Sequence, residues 1–245
     1  MKLTFLGTGD FLPNNSGHNS AFIEFNNTNL FIDFPSTNRK GLLDIEKDLD
    51  EVENLFITHL HEDHINGLQQ LAHYGLITNK KVNLYIAENL LDDLWSSVKE
   101  GLRYSYSGEK VLEDYFNVIL IKSNIAFTIA DQEFFAIPTE HMPGMISYGL
   151  LARPFFYYSG DSIFNSEFLE IIEDQVEMIF HDCHLWDFEI KSHTSLDDIK
   201  KLDSKIKEKI VLMHYHNGYD SDNLKDVFEK REKIQLARRL KHYTM

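Results

Sequence analysis

A chain of 245 residues, of which 43% are hydrophobic and 26% charged, is long enough for one well-buried core and has a globular composition. No stretch approaches the roughly 18 consecutive apolar residues that a membrane-spanning helix needs, so no membrane partner is expected. The formal net charge of −15 argues against a long nucleic-acid partner, because polyanion binding depends on many contacts from Lys and Arg to phosphate. Cys183 is the single cysteine, which excludes an internal disulfide and leads us to expect a cytoplasmic protein.

Ten short runs rich in Ile, Val, Phe or Tyr, bounded by Gly, Pro, Asn, Asp or a charged residue, predict strands. In chain order they are Leu3–Leu6, Ala21–Phe25, Leu30–Phe34, Asn54–Thr58, Val82–Ile86, Val118–Ile121, Phe134–Ile137, Phe155–Tyr158, Met178–Phe180 and Ile210–Met213. The first run lies close to the N-terminus and is too short for a signal peptide. The polar residues Asn26–Asn29 separate the second run from the third and predict a hairpin turn.

Helical patterning of apolar residues predicts five helices. In chain order they are Ile65–Tyr74, Ala87–Lys99, Ser162–Gln175, Leu196–Lys201 and Ser221–Leu240. Paired strands followed by alternating helices and strands indicate an α+β protein, an αββα sandwich in which two packed sheets carry helices outside. No internal repeat, low-complexity segment or Pro/Gly/Ser-rich linker interrupts the chain, so we expect one domain over residues 1–245.

The strongest chemical signal is the segment Thr-His-Leu-His-Glu-Asp-His at residues 58–64, which directly follows the apolar run at residues 55–57. Alternate residues of a strand share a face, so His59 and His61 point to one side before the chain turns into the helix that Asp63 and His64 open. Three imidazoles and one carboxylate within six residues suit zinc and related divalent ions. The alternative, a histidine-rich loop held by ordinary hydrogen bonds, explains this spacing less well. The sequence therefore predicts a metal site here.

This segment resembles the His-x-His-x-Asp-His motif of the metallo-β-lactamase superfamily of metal-dependent hydrolases. The resemblance implies further ligands at the ends of later strands, and His141, Asp161 and His214 match them in order. The ligand sets that it implies are His59, His61 and His141 for one ion, and Asp63, His64 and His214 for the other. It further implies that Asp161 bridges two divalent ions, zinc or alternatively manganese, and that the attacking hydroxide lies between them. Asp63 is then both a ligand and a catalytic residue.

Other segments resemble the ribonuclease Z and phosphodiesterase branch of this superfamily: Leu-Gly-Thr-Gly at residues 6–9, Ile-Ser-Tyr-Gly at 146–149 and Tyr-Ser-Gly-Asp at 158–161. In that branch an acid and the histidine of a His-Ser-Thr-like motif form a proton-donating pair, which Asp182 and His193 match as catalytic residues. Such a pair suits phosphodiester cleavage, because the expelled alkoxide needs a proton. Asp182 is one methylene shorter than the usual Glu, and Thr194-Ser195 reverses the Ser-Thr order. The structural alternative for His193 is a position at a helix entry, beside a hydroxyl residue that caps the helix.

The ribonuclease Z enzymes themselves bind tRNA with a Gly/Pro-rich basic arm, and this acidic chain shows no such insert. It is similar instead to compact cyclic-nucleotide phosphodiesterases of the anti-Pycsar type. We therefore expect hydrolysis of a small phosphodiester, a cyclic nucleotide. Three alternatives stay open: a hydrolase of a lactone, thioester or other carboxyl ester, a tRNA 3′-processing endonuclease, and a metal-dependent binding protein without turnover.

The segment Glu88–Tyr115 is the least committed part of the chain, because its tyrosines suit a cleft cover, a subunit contact or the core. Aromatic residues at helical spacing belong more often to a core than to a functional surface. Members of the branch are often homodimers in which one subunit helps to complete the other's pocket. The resemblance therefore implies a homodimer, with Glu88–Tyr115 as the segment that makes the contact.

Overall fold

The computed structural model of the protein describes all residues, 1–245, as two large sheets with helices. The strands in chain order are β1 Lys2–Gly7, β2 Ser20–Phe25, β3 Thr28–Ile32, β4 Asn54–Phe56, β5 Val82–Ala87, β6 Tyr104–Ser105, β7 Gly108–Glu109, β8 Phe116–Ile121, β9 Ala126–Ile129, β10 Gln132–Thr139, β11 Ser147–Ala152, β12 Phe156–Tyr158, β13 Met178–Asp182, β14 Ile210–Met213, β15 Gln235–Leu236 and β16 His242–Thr244. The helices are α1 Asn38–Asp44, α2 Glu62–Ile65, α3 Leu68–Thr78, α4 Leu91–Leu102, α5 Leu112–Tyr115, α6 Ser166–Ile172, α7 Leu196–Lys200, α8 Ser204–Lys209 and α9 Asp222–Glu232. None of these helices combines the length and the apolar character that crossing a membrane requires.

The two seven-stranded sheets share one pattern of strand pairing. The first has the order β16-β1-β2-β3-β4-β5-β8 and the second the order β15-β14-β13-β12-β11-β10-β9. Each sheet has three antiparallel pairings on one side and three parallel ones on the other. In the parallel halves, the carboxyl ends of neighbouring strands meet at one edge of the sheet, where side chains from several loops can converge.

The core lies between the sheets and is largely aromatic. Phe5 of β1 contacts Phe180 of β13 with ring centroids 5.4 Å apart, and Phe25 of β2 contacts Phe134 of β10 at the same distance. These rings belong to one hydrophobic cluster of 64 buried residues. Helix α6 lies on the outer face of the second sheet, while α1 and α5 contact β1 and β8 of the first. The expected αββα sandwich is therefore confirmed.

All ten predicted strands are present, and β14 has the predicted bounds. The predicted hairpin joins β2 and β3, but its turn is shorter than expected. Asn26 and Asn27 form it with φ angles of 44° and 60°, the left-handed region that a two-residue hairpin turn requires. Thr28 and Asn29 already belong to β3.

The helix expected over Ser221–Leu240 is wrong in its second half. Helix α9 ends at Glu232, because Lys233 adopts a left-handed φ of 60° and its N–H bonds back to the Glu229 carbonyl. The chain then adds β15 to the second sheet and β16 to the first. Burial of Leu236 and Tyr243 in these strands stabilises this arrangement over a longer helix.

Candidate metal centre

Seven histidine and aspartate side chains converge at the carboxyl-end edge of both sheets. The loop after β4 and the short helix α2 supply four of them, and the loops after β10, β12 and β14 supply one each. They are His59, His61, Asp63 and His64 from the first sheet, and His141, Asp161 and His214 from the second. His61 is partly exposed and the others are buried. The structure thus brings together every side chain predicted as a ligand.

These side chains fall into two groups of possible ligands. In the first, the His61 Nδ1 atom lies 3.1 Å from His59 Nε2 and 3.1 Å from His141 Nε2. In the second, the Asp63 Oδ2 atom lies 3.5 Å from both His64 Nε2 and His214 Nε2. The two groups correspond to the two ligand sets that the family resemblance implies.

Asp161 lies between the two groups and faces both. Its Oδ2 atom is 3.7 Å from His59 Nε2 and 3.8 Å from His141 Nε2 in the first group, and 3.4 Å from His214 Nε2 in the second. Its Oδ1 atom is 3.4 Å from His64 Nε2. Burial opposes ionisation of this carboxyl, but the neighbouring His214 and His64 rings hold its pKa well below the usual range. The carboxylate is therefore in the charged form that a shared ligand needs.

The donor atoms fit divalent metal ions. Three atoms that face the centre are buried and have no hydrogen-bond partner: His64 Nε2, Asp161 Oδ1 and His214 Nε2. Unpaired buried polar atoms cost folding free energy unless another group occupies the space between them. A tetrahedral shell with ligand bonds of 2.0–2.2 Å has edges of about 3.3–3.6 Å. The separations of 3.1–3.8 Å within the two groups, and between the groups and Asp161, bracket this range. A set rich in nitrogen with a few carboxylate oxygens suits zinc best, and manganese less well.

Three ligand histidines are oriented through their second ring nitrogen. His59 Nδ1 lies 3.0 Å from Thr58 Oγ1, and His141 Nδ1 donates to the Ser192 carbonyl at 2.7 Å. His64 Nδ1 lies 2.7 Å from the Asp33 carboxylate. Each contact turns the opposite nitrogen towards the centre, which is how metal-binding histidines are commonly held.

Asp33 is a residue of the site that the sequence alone did not single out. It is fully buried, and besides His64 it accepts hydrogen bonds from Thr58 N at 2.8 Å and Thr58 Oγ1 at 2.7 Å. Its φ of 60° is unusual for a residue other than glycine, and such strain occurs at functional sites. The only sequence signal is an acidic residue inside the apolar run Leu30–Phe34, whose composition predicts a strand.

The predicted acid–histidine pair is also assembled at this centre. His193 Nδ1 lies 2.8 Å from Asp182 Oδ2, so the shorter acid reaches the ring. Burial opposes ionisation of Asp182, but His193 lowers its pKa to about 2. Burial also lowers the pKa of His193, and the nearby Asp182 carboxylate more than offsets this and raises it. Ser195 caps helix α7 two residues after His193, so the histidine lies at a helix entry and contacts Asp182 at the same time.

An open cavity of about 690 Å³ lies beside His141, the one candidate ligand that lines it. Residues 142–145 form one wall, and Lys191 is the only Lys or Arg that lines it. The volume is in the range of small-molecule sites. The cavity therefore suits a small ligand with limited negative charge.

Comparison with known proteins identifies relatives along nearly the whole chain. A family model described as "Anti-Pycsar protein Apyc1" matches residues 1–243. The anti-Pycsar protein Apyc1 of Bacillus phage vB_BsuM-Goe3 is 34% identical over 260 aligned positions, which cover 96% of this chain and 95% of the relative. The protein of the same name from Paenibacillus sp. (strain J14) is 32% identical, with 90% and 91% covered.

Solved structures with the same fold are more distant in sequence. The metallo-β-lactamase fold protein YhfI from Bacillus subtilis has a TM-score of 0.76 at 14% identity, covering 99% of this chain and 98% of its own. A diphosphatase from the PhnP family has a TM-score of 0.76 at 19% identity, with 100% and 97% covered. The short form of human tRNase Z has a TM-score of 0.69 at 17% identity, with 100% and 99% covered. These likenesses show that the chain has the metallo-β-lactamase fold. The family match and the relatives show that it belongs to the anti-Pycsar protein Apyc1 family.

Proposed function

We propose that this protein is a two-metal phosphodiesterase that hydrolyses a small phosphodiester, a cyclic nucleotide. The position of His193 is the observation that carries the proposal. Its ring centroid lies 4.8 Å from that of His141 and 5.0 Å from that of His214, while Asp182 binds its Nδ1 atom. Hydrolysis of a carboxyl ester does not need this pair, because a metal ion can stabilise the leaving oxygen. Membership of the anti-Pycsar family supports the cyclic-nucleotide substrate.

On this proposal, the seven ligand-type side chains hold two divalent ions, zinc in the first place, and share Asp161. Ions at these positions supply Lewis-acid chemistry that activates water and neutralises phosphoryl charge. His193, whose Nδ1 is bound to Asp182, donates a proton from Nε2 to the leaving alkoxide. The carboxylate of Asp63, beside His64 and His214, orients the attacking water.

Two features favour a small substrate over a tRNA end. The net charge of −15 repels a long polyanion, and Lys191 alone offers a cation on the wall of the cavity beside His141. A single phosphodiester needs few cationic side chains beyond this lysine, since the metal ions neutralise most of its charge.

A substrate panel on metal-loaded protein tests the proposal. We expect turnover of 3′,5′-cyclic nucleotides and bis(p-nitrophenyl) phosphate, and none of a lactone, a thioester or a β-lactam. Turnover of the acyl substrates alone would replace the phosphodiesterase with an esterase. No turnover of any compound, with metal content verified, would favour a binding protein.

We further propose that the protein acts as a homodimer through the segment Glu88–Tyr115. Within it, β6 and β7 form a separate two-stranded hairpin whose aromatic side chains lie in solvent. Tyr106 is fully exposed, and Tyr104 is 65% exposed. Exposed aromatic side chains on a projecting element are typical of residues that a partner covers. The partner in this case is a second copy of the chain.

A further inference from the structure

A second cavity, of about 490 Å³, lies behind the metal centre on the outer face of the second sheet. Tyr157 of β12 and His181 of β13 line it, and helix α6 packs over Tyr157 through Phe168. Successive strand residues face opposite sides of a sheet, so His181 points away from the side that Asp182 faces. Thr139, Glu140 and Ile163 line both this cavity and the one beside His141, and a backbone hydrogen bond of 2.8 Å from Ile163 N to the Glu140 carbonyl joins two of them.

Three buried polar side chains in this cavity lack a partner for one of their atoms. Tyr157 is 2% exposed, and burial raises the pKa of its hydroxyl with no hydrogen bond to offset it. Ser162 is 3% exposed, and its Oγ atom has no partner. His181 is 3% exposed and donates from Nδ1 to the Asp182 carbonyl at 2.8 Å, which leaves Nε2 as a free acceptor. Ser162 Oγ is itself buried and unpaired, and the Tyr157 hydroxyl and His181 Nε2 are unpaired atoms of side chains that are at least 97% buried. Because polar groups in such surroundings are normally paired, three of them around one cavity indicate a ligand.

The walls of the cavity indicate what kind of ligand fits. Ile163, Phe164, Phe168 and Leu169 provide apolar surfaces, two of them aromatic rings. No Lys or Arg lines the cavity, and exposed carboxylates from its rim repel anions, which excludes a phosphate or carboxylate ligand. A flat, uncharged ring fits between such walls, with an N–H that donates to His181 and polar atoms that pair with the two hydroxyls.

We propose that this cavity binds an uncharged nitrogen heterocycle, a free nucleobase or a nucleoside, separately from the metal centre. The ligand donates an N–H to His181 Nε2 and exchanges hydrogen bonds with the Tyr157 and Ser162 hydroxyls. The volume lies within the range of small-molecule sites. Because no metal ligand takes part, the site does not depend on the phosphodiesterase activity.

Equilibrium dialysis of the metal-loaded protein against labelled nucleobases and nucleosides tests this proposal. We expect at least one of them to bind to the wild-type protein. Tyr157→Phe removes one hydroxyl without changing the ring and is expected to weaken binding by a factor of about two to ten. Ser162→Ala is expected to do the same. Tyr85→Phe, on β5 of the other sheet, is the matched control and is expected to bind like wild type.

Two outcomes would overturn the proposal. One is that no nucleobase or nucleoside binds at millimolar concentration, which would mean that water alone fills the cavity. The other is that binding survives unchanged in both Tyr157→Phe and Ser162→Ala, which would place the ligand elsewhere. Thermal unfolding of each variant verifies folding, and the smaller change at Ser162 keeps the test valid if Tyr157→Phe does not fold.

Discussion

Asp33 supports ligands from both metal-binding groups. It contacts His64 of the second group directly, and it reaches His59 of the first through the Thr58 hydroxyl. Since the hydroxyl donates to Asp33, it accepts from His59 Nδ1, and this fixes which ring nitrogen faces the candidate metal centre. One buried carboxylate thus orients a candidate ligand on each side of Asp161.

Thr58→Val is expected to weaken the site at its first group. The valine keeps the shape of the side chain but leaves His59 Nδ1 without an acceptor, while Asp33 still holds His64. Loss of such a contact typically costs a factor of about 10–100 in metal affinity. A competition titration with a chromogenic chelator should show one weakened site and one unchanged site. Thr78→Val, at the exposed end of α3, is the control, and equal affinities in both variants would contradict this role.

His193→Ala tests the proton donor of the proposed reaction. The variant is expected to lose a factor of about 10²–10⁴ in kcat on a cyclic nucleotide, whose alkoxide leaving group needs a proton. With bis(p-nitrophenyl) phosphate the loss should be smaller, because nitrophenolate leaves without protonation. Steady-state rates with both substrates, at verified metal content, measure this contrast.

His73→Ala is the matched control for the His193 variant. This histidine lies on α3, where its ring contacts Tyr115 and the Gly101 carbonyl. The His73→Ala variant should hydrolyse both phosphodiesters at the wild-type rate. An equal loss on both phosphodiesters in His193→Ala would indicate disruption of the site, and a full rate would remove the proton-donor role.

At the scale of elements, the β6–β7 hairpin is the clearest candidate for a subunit contact. The double variant Tyr104→Ser, Tyr106→Ser is expected to convert a dimer into a monomer, because each aromatic ring buries about 150–250 Å² at an interface. Light scattering coupled to size exclusion measures the mass. Ile77→Ser, 83% exposed on α3, is the control and should leave the mass unchanged. A wild-type mass of one 28.7 kDa chain at working concentration would contradict the dimer.

Strongly apolar, well-bounded strands could be predicted from the sequence, and weakly marked elements could not. Strand β11, Ser147–Ala152, is buried along its whole length and shows no alternation of polar and apolar residues. It also contains Gly149, where a side chain would collide with Tyr157. Its position depends on pairing with β10 and β12, which local sequence does not encode.

The same contrast holds for the metal centre. The short motif at residues 58–64 identifies the site because four donors lie within six residues, and the family resemblance then locates the distant ones. Asp33 and the Ser192 carbonyl could not be found in this way. Asp33 lies 31 residues before His64, and a backbone carbonyl carries no sequence signal at all.

At the scale of the whole molecule, the acidic surface opposes the approach of an anionic substrate. For a cyclic nucleotide, kcat/KM is therefore expected to rise with moderate salt, because ions screen the repulsion between substrate and protein. The value of kcat should stay constant, since screening acts on the encounter and not on the bound complex. Initial rates over a series of NaCl concentrations measure both constants. A fall of kcat/KM with salt would show that local positive charge at the centre dominates the approach.

Each group of candidate ligands draws side chains from both sheets: His59 and His61 with His141 in one, Asp63 and His64 with His214 in the other. An ion in either position would therefore act as a non-covalent cross-link between the two halves of the sandwich, and neither half alone could retain it. Stability is then linked to metal concentration, with a gain of about 2.7 kcal/mol per ion at a concentration of 100 Kd. A chelator should therefore lower Tm, and an unchanged Tm would mean that the ions add nothing to the stability that the core between the sheets already provides.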